Sequence, residues 1–140
     1  MLNKDLVRRK INSIEGYIRE IDPALKKSAL DVVSDTILLR AVERNFQLMV
    51  DTMLDINTHV IASEQLASPQ TLQETFFILA RADVLPKDLV DRMTPIVGLR
   101  NKLVHEYEGI SSEKFVSDLQ KGIAQFGEYM VAIDRFLQTK

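Results

Sequence analysis

Arg100, His105 and Tyr107 fall within the ten-residue stretch RNKLVHEYEG, residues 100–109, and His105 is one of only two histidines in the chain. These are the residue types that proton-transfer and phosphate chemistry uses. Histidine exchanges a proton near neutral pH. Arginine presents a rigid fork of N–H donors that fits a phosphate or a carboxylate. A second group, Asp51, Asp55 and His59, recurs at i, i+4 and i+8, which places all three on one helical face. That spacing suits a divalent cation, but equally a solvated face or an Asp55–His59 pair that positions itself. A catalytic metal needs more ligands in a closed geometry than one helix offers, so no metal and no cofactor are expected. The run Val7 to Lys10, VRRK, could touch phosphates, although charges on an amphipathic helix usually face water.

Composition removes other classes. The chain has no cysteine, so disulfides, thiolate metal sites and cysteine nucleophiles are excluded. Five scattered glycines build no phosphate-cradling loop. A formal net charge of −2 argues against broad, sequence-indifferent duplex binding and leaves room for a small local basic site. Residues 1–10 carry no apolar secretory segment, and the longest apolar run, Phe76 to Ala80, is far short of the ~20 residues a membrane helix requires. A cytoplasmic protein without a membrane partner is expected. At 140 residues the chain is most simply a single domain, 1–140.

The elements that must position these residues are helices. Val7, Ile11, Ile14, Ile18 and Ile21 form one apolar stripe; Leu39, Val42, Phe46, Met49, Met53, Ile56 and Val60 form a second. Phe115, Leu119, Ile123, Phe126, Met130, Ile133 and Leu137 form a third, and each follows the 3–4 spacing of a helix face. Asp22-Pro23, Ser68-Pro69 and Thr94-Pro95 read as helix starts, with a capping oxygen before a proline. The reading is five helices, near 3–21, 29–66, 69–82, 86–108 and 112–138. Pro95 kinks or restarts the fourth, and Gly109 ends it. With short connections this is an all-α up-and-down bundle. Phe46, Met49, Met53, Ile56, Phe126, Met130 and Ile133 are its expected core.

On a helical wheel, Arg100 and Tyr107 fall within about 20° of the centre of the fourth helix's apolar face, and His105 falls near 160°, away from it. An arginine on such a face needs a partner, a ligand or a cleft. His105 joins it only if the helix loosens after Val104 or if a second subunit brings its own copy. Spacing alone also permits a plainer outcome, with Arg100 reaching out to water, Tyr107 at the core's edge and His105 solvated.

The octapeptide RNKLVHEY resembles the Arg-x4-His-x-Tyr signature of the HepT-like toxins, a branch of the HEPN superfamily of helical ribonucleases. The likeness extends to LRAVERNFQLMVDTMLDINTH, Leu39 to His59, which is similar to the family's long second helix with its Asp-Ile-x-x-His run. The resemblance implies a homodimeric, metal-independent endoribonuclease with Arg100 and His105 catalytic and Asn101, Asp55 and His59 in support. It further implies a toxin–antitoxin pair in which an MntA-type nucleotidyltransferase silences the toxin by transferring AMP onto Tyr107. The rival reading is a non-catalytic HEPN-like module binding a nucleotide or a partner protein, with a helical signalling adaptor as a third.

Overall fold

The structure, a computed structural model, describes residues 1–105 and 111–140; the side chains of Val104 and His105 lie outside that description. Its elements are α1 (Lys4–Leu25), α2 (Ala29–Ser34), α3 (Thr36–Ser63), α4 (Glu74–Arg81), α5 (Lys87–His105) and α6 (Ser112–Gln138). Among the described residues there is no strand, and no helix is long and apolar enough to cross a membrane. The all-α bundle expected from the periodicity is what the chain forms.

Three boundaries differ from the sequence reading. The expected helix 29–66 is two helices, because Asp35 adopts extended backbone and its Oδ1 accepts from the Leu38 N–H at 3.1 Å. Asp35 therefore starts α3 afresh. Pro23 does not start a helix; it sits in the last turn of α1, where its missing N–H costs a single intrahelical bond. The exposed carbonyls beyond it are taken by Gln120 of α6, whose Nε2 donates to Leu25 O at 3.2 Å and Lys27 O at 2.7 Å. Nor does Ser68-Pro69 start α4. Thr71 Oγ1 accepts from the Glu74 N–H, and Glu74 Oε2 accepts from the Gln70 N–H, so side chains hold the turn ahead of Glu74 and α4 begins after it. Pro95 leaves α5 continuous, and Thr94 Oγ1 donates to Val90 O one turn back.

Helix α3 is the centre. Asn3 meets His59, Lys10 meets Asp55, and Tyr17 meets Asn45, so α1 runs antiparallel along it. The opposite side of α3 buries Phe46, Met49, Met53 and Ile56 against α4, α5 and α6. Phe46 stacks edge-on with Phe115 and Phe126, at centroid distances of 5.2 and 6.4 Å. Of the seven expected core residues, six are buried, and Met130 is only partly so. One polar network crosses this core. Tyr129 Oη donates to Asn57 Oδ1 at 2.6 Å, and Asn57 Nδ2 donates to Thr75 Oγ1 at 3.1 Å, tying α6 to α3 and α3 to α4. All three residues are fully buried. Burial also pushes the Tyr129 phenol well above its ordinary 10.0.

Candidate functional site

Helix α5 carries the motif arginine into the arc between buried Leu99 and Leu103. The apolar face that Leu89, Val90, Met93, Ile96 and Val97 bury fixes the helix's rotation, and that rotation holds most of Arg100 out of water. Opposite it lies Asp51 of α3. Arg100 Nε and Nη2 both meet Asp51 Oδ1 at 2.9 Å, and Nη1 lies 3.3 Å from Asn101 Oδ1. The arginine side chain is 21% exposed and the aspartate 43%, so the pair sits at the surface end of the packed core. In that setting its net stabilisation is on the order of 1 kcal/mol, the value for a well-formed pair still reached by solvent.

The arginine's position on an apolar face thus had its expected consequence, and the partner is a residue the sequence had grouped differently. Asp51, Asp55 and His59 share a face of α3, yet the structure gives each its own neighbour. Asp51 holds Arg100; Asp55 Oδ2 pairs with Lys10 Nζ at 3.3 Å; His59 Nε2 accepts the Asn3 N–H at 3.0 Å. The last contact requires the proton of neutral His59 to be on Nδ1. Asp55 and His59 therefore fasten α1 to α3 and make no hydrogen bond to Arg100. Among the described residues no cluster of three His, Cys, Asp or Glu is gathered as a metal site. Of the VRRK run, Val7 is buried, Arg8 and Arg9 are exposed, and Lys10 is the partner of Asp55.

Arg100 and Asn101 are brought together with Asp51. His105 is the last residue of α5, with its side chain outside the description, and Tyr107 lies outside the described residues altogether, as do Glu106 and Gly109. No periodicity signals the Asp51–Arg100 pair. The one available clue was that an arginine on a buried face must find an acceptor.

A groove of about 1000 Å³ opens elsewhere, lined by Asp83, Lys87, Asp88, Arg135, Phe136 and Lys140 among others. Lys87 is the first residue of α5, thirteen positions and about 20 Å along the axis from Arg100. Part of the groove's charge is spent locally, since Lys140 pairs with Glu64 and Asp88 with Arg92. Volume alone points to this groove, but the phosphate-matching arginine is at the other end of α5.

A family model described as Ribonuclease HepT-like matches residues 14–133. An mRNA nuclease HepT of Shewanella oneidensis is 27% identical over 129 residues, covering 92% of this chain and 96% of the relative. A tRNA nuclease HepT of Aphanizomenon flos-aquae is 26% identical over 134 residues, covering 96% and 91%. Among solved structures, the tri-AMPylated Shewanella oneidensis HEPN toxin in complex with MNT antitoxin superposes with a TM-score of 0.85 at 27% identity, over 96% of this chain and 99% of that one. A toxin–antitoxin structure with AMP-PNP gives 0.84 at 26%, over 94% and 98%. The match runs from the middle of α1 to the last turns of α6 and includes both helices that hold the Asp51–Arg100 pair: the chain belongs to the HepT-like ribonuclease family.

Proposed function

We propose that this protein is the ribonuclease toxin of a toxin–antitoxin pair, an endoribonuclease that cuts RNA without a metal ion. The observation that carries the reading is the Arg100 guanidinium, anchored on Asp51 and Asn101 at the edge of the bundle with part of its surface open to solvent. The RNA class is supported by the two relatives named as an mRNA nuclease and a tRNA nuclease.

In the proposed reaction the ribose 2′-oxygen attacks the adjacent phosphorus and His105 accepts the 2′-hydroxyl proton. Negative charge builds on the phosphorane oxygens, where Arg100 supplies directed donors. The bond to the 5′-oxygen then breaks, leaving a 2′,3′-cyclic phosphate and a new 5′-hydroxyl. The departing oxygen takes a proton, and each chain has one motif histidine. A two-fold dimer that juxtaposes two motifs would provide both the acceptor and the donor. Asn101 supports Arg100, while Asp55 and His59 support the site indirectly, by fastening α1 to the helix α3 that carries Asp51.

The same reading assigns the control step. The Shewanella oneidensis toxin structure is tri-AMPylated and in complex with its MNT antitoxin. We infer that an MntA-type nucleotidyltransferase modifies this chain at Tyr107, transferring AMP from ATP to the phenol with release of pyrophosphate. Seven residues separate Tyr107 from Arg100, two helical turns or about 10 Å if the helix continues. A phosphodiester there would compete with RNA for the guanidinium by charge and by bulk.

The test is cleavage of single-stranded RNA in EDTA by the wild type and by Arg100→Ala and His105→Ala. Both variants are expected to stay folded and to lose activity by about 10²-fold or more. Wild-type cleavage by His105→Ala would remove the catalytic assignment. Light scattering that shows a monomer at micromolar concentration would remove the dimer. Co-expression with the nucleotidyltransferase is expected to add AMP to the Tyr107 peptide, and Tyr107→Phe is expected to escape it.

A further inference from the structure

We propose that Asp51 is the positioning residue of Arg100, and that it sharpens the reaction at the expense of RNA affinity. The inference rests on the ribonuclease reading above and deepens it. A guanidinium has five N–H donors in a fixed plane. Asp51 Oδ1 accepts from Nε, with Nη2 in ion-pair contact at 2.9 Å, and Asn101 Oδ1 accepts from Nη1. That leaves N–H groups on both terminal nitrogens for an incoming phosphate. Anchoring the Nε edge fixes the plane and direction of those donors, which a long side chain on an open helix end would otherwise sample through many rotamers. The anchor is α3, the most deeply packed helix of the bundle, with Met49, Val50 and Met53 around Asp51 wholly buried. The geometry of Arg100 is thus referred to the core and not to the end of α5.

The same contact has an opposing effect. The Asp51 carboxylate is 43% exposed and lies against the cation that RNA must reach. A backbone phosphate drawn to Arg100 comes within several ångströms of this like charge. At about 6 Å in a water-like medium that repulsion corresponds to roughly a threefold loss in affinity. An Asp51 that merely held the fold would not produce this combination, in which removal of one group tightens binding and slows the chemistry.

The experiment uses full-length wild type, Asp51→Asn and Asp51→Glu, with folding of each checked by circular dichroism and thermal melting. Asparagine keeps the size and an acceptor oxygen but not the charge. Binding is read with a single-stranded 2′-O-methyl RNA, which lacks the attacking hydroxyl, and cleavage is read under single turnover with the corresponding RNA. Asp51→Asn is expected to bind about threefold tighter and to cut about 10–100-fold more slowly, the scale of a catalytic group misplaced by up to an ångström. Asp51→Glu, with its charge intact and its reach changed, is expected to bind as wild type does and to cut at an intermediate rate. An Asp51→Asn protein that cuts as fast as wild type overturns the inference and leaves the ribonuclease reading standing. So does one that binds and cuts more weakly in parallel. A wild-type protein that leaves RNA uncut removes both.

Discussion

Replacing Arg100 with lysine keeps the charge and deletes the fork, which isolates the contribution of donor geometry. In the structure, the Nε and Nη1 donors are committed to Asp51 and Asn101, and both terminal nitrogens keep N–H groups to offer. A lysine ammonium has three donors on one atom. To meet Asp51 it must spend at least one, and it cannot hold two directed donors on a phosphorane oxygen pair while doing so. The charge-dependent part of RNA binding should survive, because a phosphate contact depends mainly on the cation. The rate should not. Loss of one preorganised donor at a developing oxyanion typically costs about 10²–10³-fold in rate, so Arg100→Lys is expected to cut about 10²-fold more slowly with affinity within about threefold. Stability should change by less than about 1 kcal/mol, since the pair it disturbs is partly solvated. The assay is single-turnover cleavage in EDTA beside equilibrium binding of an uncleavable RNA. A lysine variant cutting within threefold of wild type would refute the argument, because a point charge would then suffice.

Other expectations concern the frame that holds the site. Tyr129→Phe removes the donor that satisfies buried Asn57 Oδ1, which should cost about 2 kcal/mol and lower Tm by roughly 6–10 °C, read by calorimetry. Because burial raises the Tyr129 pKa in the folded chain, its contribution is complete below pH 10 and falls as pH rises beyond that value, when only the unfolded chain releases the proton. Urea melts should show a decline of up to about 1.4 kcal/mol per pH unit there, with Tyr129→Phe flattening the slope. Gly122→Ala would drive a methyl into Ile96 Cδ1 of α5 and should destabilise by about 1–3 kcal/mol. Gly98→Ala meets nothing within 4 Å and should stabilise by about 0.5–1 kcal/mol through the lost flexibility of glycine alone. Chemical denaturation of the two variants side by side gives both signs.

The helices were legible because their signal is local. An apolar stripe at 3–4 spacing must be removed from water whatever it meets, so the stripes of α1, α3 and α6 were visible residue by residue, and the class of fold followed from them. The start of α3 is also written locally, in Asp35. The prolines at 23 and 69 are a stronger local helix-start signal than this cap. The chain instead tolerated Pro23 in a last turn, where little hydrogen bonding is at stake, and placed Pro69 in a connection. Asp51, Asp55 and His59 show the limit of such reading. Their common face is a property of one helix, but their partners belong to others: Arg100, 49 residues away, Lys10, 45 away, and Asn3, 56 away. The same holds for Tyr129 and Asn57, 72 residues apart. Sequence by itself determined that Arg100 lay on a buried face and therefore required an acceptor, because a cation cannot leave water unpaired. Which acceptor it found was decided only when burial of the stripes set α5 against α3, since the register between two packed helices depends on every side chain along the contact and on no single motif.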